Sequence, residues 1–248
     1  MKQQLYGLIA PHVPTMLEQE MDGIETPTIL SLRELGKKYH DAGVQLVIAA
    51  STHWQTDQFM IDPSREHKTI YDYYGFRRTI EYDVMGDPGV AALLKAEGDR
   101  SLIYPSFGHH GSDHAISIPL HFMFPEKDIR VIPISVAASP LCAFRWGRAM
   151  GRVLRTLEQP VLFLASGSFS HDLESWMFHN HDPQFEAFDR KTIEFLSSGN
   201  GMDVLKFSQK ELFFAKPEGY FRDVMMLLGV MGSQSAGNVL SYESLPGV

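Results

Sequence analysis

The 248-residue sequence predicts an α/β fold: a single domain with a central, mostly parallel or mixed sheet and helices on both faces. Three observations predict it. Short apolar runs alternate with longer segments of helical periodicity along the chain. The apolar runs are near-continuous, as strands buried on both faces require. No linker, repeat or low-complexity stretch interrupts them, so one domain is expected over residues 1–248.

Each element has a local reason. Tyr6-Gly7-Leu8-Ile9-Ala10 is an apolar run ending at Pro11-His12, a buried strand that delivers a histidine at its C-terminal end. Residues 26–42 place Ile29, Leu32, Leu35 and Tyr39 at helical spacing, and Gly43 stops the helix. Val44 to Ala50 is a second buried strand, ending at Ser51-Thr52-His53-Trp54. Strand, helix and strand make a βαβ unit whose parallel strands bring both histidines to one edge. Further strands are expected over 59–62 and 78–84, and a short helix over 88–97 with Pro88 near its start. A Gly- and His-rich loop over 105–114 precedes a helix over 115–124. A buried strand follows over 130–136, then an amphipathic helix over 141–157 closed by Pro160. The strand over 161–165 leads into Ser166-Gly167-Ser168-Phe169-Ser170-His171-Asp172. Helices over 185–196 and 218–231 and a terminal strand over 239–242, followed by Glu243, complete the reading.

Composition limits the partners. Lys plus Arg is 22 against 30 Asp plus Glu, a formal net charge of −8, which disfavours nucleic acid or an anionic membrane. Cys142 is the one cysteine, so an internal disulfide and a Cys-rich zinc site are excluded. A lone thiol, no apolar secretory core in Met1 to Tyr6 and no apolar run near the ~18–20 residues of a membrane span point to a cytoplasmic protein.

Ligands of open α/β sheets bind beyond the carboxyl ends of the strands. Four such ends carry His12, His53, His171 and Glu243. Two neutral imidazoles and one carboxylate on one face form the facial triad of non-haem Fe(II) oxygenases, with positions left open for substrate and O₂. Ser166, Ser168 and Ser170 beside His171-Asp172 do not make a hydrolase elbow, because Phe169 stands where the nucleophilic serine would be. Gly147 to Gly151 is a G-x-x-x-G in an amphipathic helix rather than a membrane span. Arg78 and Arg222 are both candidates to hold a substrate carboxylate.

Several stretches together carry a resemblance: Pro11-His12-Val13-Pro14-Thr15-Met16, Thr52-His53-Trp54, Ala165 to His171, Phe188-Asp189-Arg190, and Glu218-Gly219-Tyr220-Phe221-Arg222 running on to Gly229. In this order the chain resembles the class III extradiol ring-cleavage dioxygenases, the family of the protocatechuate 4,5-dioxygenase catalytic subunit, and within it the homoprotocatechuate 2,3-dioxygenase branch. The resemblance implies a single catalytic domain and non-haem Fe(II) held by His12, His53 and Glu243. It implies His171 as the acid–base residue and His114 as a second active-site histidine, although many relatives have glycine where this chain has Ala115. The implied substrate is a small aromatic diol or aminophenol, opened by O₂ to a muconic semialdehyde. A homo-oligomer is expected on general grounds of symmetric assembly, and some relatives need a separate small subunit. The competing expectation is a non-catalytic metal-binding or protein-interaction protein on the same scaffold. His171, added to a full ligand set, argues against it.

Overall fold

A computed structural model describes residues 5–245. Along the chain run β1 (Leu5–Ala10), α1 (Thr15–Met21), α2 (Pro27–Asp41), β2 (Leu46–Thr56), β3 (Met60–Ile61), β4 (Glu66–His67), β5 (Val84–Met85), α3 (Pro88–Arg100), β6 (Ser106–Phe107) and α4 (His114–Met123). They are followed by β7 (Arg130–Ala137), α5 (Pro140–Leu154), β8 (Val161–Ser166), α6 (Leu173–Met177), α7 (Pro183–Ser197), α8 (Gln209–Ala215) and α9 (Arg222–Met231). Two 3-10 segments, Gly201–Lys206 and Glu218–Phe221, flank α8. Four helices start the same way, with Thr26, Asp87, Ser139 or Asp182 accepting a backbone N–H and proline in the first turn. The cap satisfies an otherwise orphaned donor, and proline's fixed φ suits a position that needs none.

The sheet is mixed, in the order β1-β8-β2-β7-β3-β6, with β5 pairing β7 and β4 pairing β5. Its centre, β1-β8-β2-β7, is parallel throughout, while β3 runs antiparallel to β7. The first two strands are therefore parallel, as expected, but they are not neighbours: β8 lies between them, pairing Leu5↔Val161 on one side and Leu46↔Val161 on the other. Alternation along the strands divides the core. Leu46, Ile48, Ala50, Phe163 and Ile134 face one layer with Trp146 of α5 and Met225 of α9. Val47, Ala49, Leu162 and Leu164 face the other, with Leu17 of α1, Ile29 of α2 and Ile116 of α4. Each fully buried large aliphatic or aromatic side chain contributes about 1.5–3 kcal/mol.

Two expected strands differ. Residues 78–83 run without ladder pairing, and only Val84–Met85 forms strand there. The segment is tied down by side chains instead: Asp83 Oδ1 accepts from Thr69 N, and the Tyr82 hydroxyl, which donates one hydrogen, lies 2.8 Å from Phe124 O and 3.2 Å from Leu120 O. Residues 239–242 form no strand; Val239 and Leu240 are about half exposed, and an apolar pair with no partner strand gains nothing from extending.

The G-x-x-x-G of α5 has a packing role. A Cβ on Gly147 would lie 2.0 Å from Met226 O, and one on Gly229 of α9 would lie 2.2 Å from Phe144 O. The two helix backbones therefore meet without side chains between them. Gly147→Ala is expected to destabilise by about 3 kcal/mol or more, because the obstacle is backbone rather than a flexible side-chain tip. Urea unfolding should show a lower midpoint at unchanged slope. Gly237→Ala, whose nearest neighbour would be 3.9 Å away, is the control.

Candidate active site

The carboxyl ends of β1, β8 and β2 form one rim, and the candidate residues gather there. His12 follows β1 after Pro11 and is buried. His53 reaches the rim through an irregularity: β2 pairs Ser51 with Ser135 of β7 and then Gln55 with the next residue, Val136. Thr52, His53 and Trp54 are looped out between them, and a bulge of this kind re-aims a side chain. Thr52 Oγ1 donates to Ser166 O and His53 N to Ser51 Oγ, which fixes the loop.

The carboxylate at the rim is Glu218. His12 Nε2 lies 3.2 Å from His53 Nε2, and Glu218 Oε1 lies 3.1 Å from each of them. Glu218 is fixed from behind: its Oε2 accepts from Ser168 N, and its own N–H donates to Ser168 O. The turn it begins places Gly219, Tyr220 and Phe221 in succession at φ of 59°, 51° and 61°. Two aromatic residues in the left-handed region cost of order 1–3 kcal/mol each, strain of the kind that collects at functional sites.

Glu243 is elsewhere. Its Oε2 accepts from Thr28 N in the first turn of α2, and the side chain is exposed. A carboxylate suits the positive end of a helix, so the acid expected at the rim from the terminal strand instead caps α2, and Glu218 stands with the two histidines.

His114 and His171 flank this trio. The His114 ring lies 3.9 Å from that of His53 and 5.0 Å from that of His12, centre to centre. Nitrogens of His12, His53 and His114 lie within 4.8 Å of one another. His171 follows β8, with its N–H held by Ala215 O, and it lies within electrostatic reach of Glu218, His12 and His53. Burial holds both His114 and His171 below the ordinary imidazole value, so they are neutral near pH 7. For His53 burial acts the same way, but Glu218, Asp113 and Asp72 outweigh it and raise its pKa. Glu218 is fully buried, which alone would raise its pKa; His12, His53 and His171 together hold it well below the carboxylate range.

The donor set fits a divalent cation. Two ligand atoms about 2.1 Å from one ion and at right angles stand ~3.0 Å apart, against 3.1–3.2 Å for all three edges of the His12–His53–Glu218 triangle. Tetrahedral angles at the same bond length would need ~3.4 Å. Three lone-pair-bearing atoms converging at this spacing are the facial arrangement described for two histidines and a carboxylate.

Residues 6–248 match the protein family described as the catalytic LigB subunit of aromatic ring-opening dioxygenase. The chain belongs to this LigB family. Among its relatives, Dioxygenase tasH of Hapsidospora irregularis is 33% identical over 160 residues, 61% of this chain and 47% of that protein. The chain thus spans about half the length of that relative. The 4,5-DOPA dioxygenase extradiol of Beta vulgaris is 28% identical over 80% of this chain and 81% of its own length. The 3,4-dihydroxyphenylacetate 2,3-dioxygenase of Escherichia coli is 24% identical over 89% of this chain and 87% of its own. A crystal structure of an uncharacterized Escherichia coli K12 protein, JW3007, shares the fold, with a TM-score of 0.69 at 18% identity over 89% of this chain and 88% of that one. No helix among the described residues of this LigB-family chain is long and apolar enough to cross a membrane.

The rim of this LigB-family chain contains further residues that strand-end reasoning does not find. His12 Nδ1 pairs with Ser166 Oγ at 3.0 Å. Asp72 stands beside both His53 and His114. Asp113 caps α4, accepts from Ser51 Oγ and receives His110 Nε2 at 2.6 Å, while the His110 ring stacks on Trp54. Of the two arginine candidates, Arg78 is paired with Glu20, and Arg222 donates to Gly219 O and Gln55 Oε1.

Asp223 lies behind Glu218, buried, with neither carboxylate oxygen hydrogen-bonded. Burial, reinforced by Glu218, pushes its pKa up to about 7. A carboxyl whose folded value exceeds its unfolded value stabilises the fold below the unfolded pKa, and that stability is lost as pH rises through the folded pKa. Between about pH 4 and pH 7 the loss is ~1.4 kcal/mol per unit. Asp223→Asn is therefore expected to gain several kcal/mol relative to wild type between pH 4 and pH 8, read from urea unfolding of metal-free protein at both values. An unchanging gap between the two proteins would refute the assignment.

Proposed function

We propose that this chain is a non-haem Fe(II)-dependent extradiol dioxygenase, opening a catechol-type ring with O₂ to a muconic semialdehyde. The observation that carries the reading is the near-equilateral triangle of His12 Nε2, His53 Nε2 and Glu218 Oε1. His12, His53 and Glu218 would hold the ion. An iron ion held there would supply Lewis acidity toward the ring hydroxyls and a redox centre for reaction with O₂.

The chain's own residues supply orientation and proton transfer. His171, neutral and partly buried, takes a proton from a ring hydroxyl at its free nitrogen and returns it when the O–O bond breaks. His114, buried beside His12 and His53, positions the diol. The relatives named as a 4,5-DOPA dioxygenase extradiol and a 3,4-dihydroxyphenylacetate 2,3-dioxygenase support a substituted catechol as the substrate class.

Anaerobically prepared protein with Fe(II) and a catechol should turn yellow only when air is admitted, with one O₂ consumed per ring opened. Failure to take up oxygen with 3,4-dihydroxyphenylacetate, 4-substituted catechols, aminophenols and gallates alike would favour the metal-binding or interaction reading instead.

A further inference from the structure

Asp72 lies in the loop between β4 and β5, outside every motif that marks the family resemblance. Its Oδ1 is 2.9 Å from His114 Nδ1 and also accepts the His114 backbone N–H at 3.1 Å. Its Oδ2 is 3.4 Å from His53 Nδ1. The loop is fixed on both sides of it. Ile70 N donates to Ser112 O, the Tyr73 hydroxyl accepts from Ile80 N, and the buried Tyr73 ring packs 5.2 Å from the His114 ring.

A neutral imidazole has one N–H and one bare lone pair. A lone pair turned toward a carboxylate oxygen at such distances is repelled, whereas an N–H is attracted, even where the geometry is not that of a straight hydrogen bond. We infer that Asp72 is a positioning residue that fixes the tautomer of His114 and holds the outer nitrogen of His53. In His114, Nδ1 carries the proton and Nε2 presents a lone pair, an acceptor for a hydroxyl of the substrate. In His53 the carboxylates of Asp72 and Glu218 stand at opposite ring nitrogens, and an ion on Nε2 would leave the ring proton on Nδ1, facing Asp72.

His12 has a different outer partner. Its Nδ1 lies 3.0 Å from Ser166 Oγ, which is itself 3.5 Å from Ala10 O. Outer partners of this kind fix ring orientation, and losing one typically costs 10–100-fold in metal affinity.

The inference rests on the proposed metal site, and its test separates the two. Nitrogen-15 NMR of the histidine-labelled, metal-free wild-type chain should show an Nδ1-protonated ring for His114. An Nε2-protonated His114 in wild type would overturn the inference, with no variant needed. In Asp72→Asn the amide has the shape of the acid and can turn either its oxygen or its NH₂ to the rings. The His114 signals should shift toward the other tautomer, and Co(II) affinity by calorimetry should fall about 10–100-fold with the melting temperature little changed. Wild-type affinity together with wild-type tautomers in Asp72→Asn would also overturn it. Wild-type protein that binds no Co(II) would remove the metal site itself, while the nitrogen spectrum still decides the role of Asp72.

Discussion

Glu218→Gln is expected to lose Fe(II) by more than about 100-fold in affinity, whereas Glu243→Gln should bind it as wild type does. The outer partners of metal ligands are already worth 10–100-fold, and removing the anionic ligand itself should exceed that. Glu218 Oε1 closes a triangle with two imidazoles, while Glu243 accepts from the N-terminus of α2. Metal content after dialysis, measured on both variants, distinguishes the two carboxylates in one experiment. Stoichiometric iron in Glu218→Gln would end the assignment. Glu243→Gln should instead show a small loss of thermal stability, about 0.3–1 kcal/mol for a charge at a helix terminus.

His171→Ala should leave iron bound and reduce turnover ~10²–10⁴-fold, the usual contribution of a positioned acid–base group. The residue belongs to the rim by electrostatics, yet it is absent from the donor triangle. The acid limb of wild-type kcat/KM should fall below the ordinary imidazole value, since burial holds His171 there. Wild-type turnover in the variant would assign proton transfer to another group, and lost iron would make His171 a ligand.

How far the sequence reveals this site depends on which physical signal each residue carries. The buried parallel strands are legible because Val44 to Ala50 or Val161 to Ala165 have no polar residue that could face water on either side of a sheet, apart from Gln45. The order of strands is not legible: nothing in β8 itself says that it lies between β1 and β2. His12 and His53 follow from strand ends, although the bulge that brings His53 to the rim is a matter of pairing with β7.

Glu218 escapes strand-end logic because no strand delivers it. Residues 218–231 have helical periodicity, and the helix proper begins only at Arg222. The available signal is Pro217 before it and Gly219 after it, a pair that breaks a helix and leaves the carboxylate on a turn. A short apolar run before Glu243 predicts a strand-end carboxylate, but Val239 and Leu240 find no ladder. Asp72 has no local signature at all, since it acts only through rings brought to it by the fold.

The placement of β8 also bears on how the chain comes together. Among the described strands β1 pairs with β8 alone, so Leu5 must wait for Val161 before its ladder can form. At about 5–20 residues per second, that is roughly 8–30 s of synthesis with the first strand unpaired. Glu218 emerges later still, so the donor triangle cannot close before residue 218 has been made. Loading with iron would then report a chain extended at least that far, and a translation product stopped short of β8 would leave β1 as a free strand open to self-association.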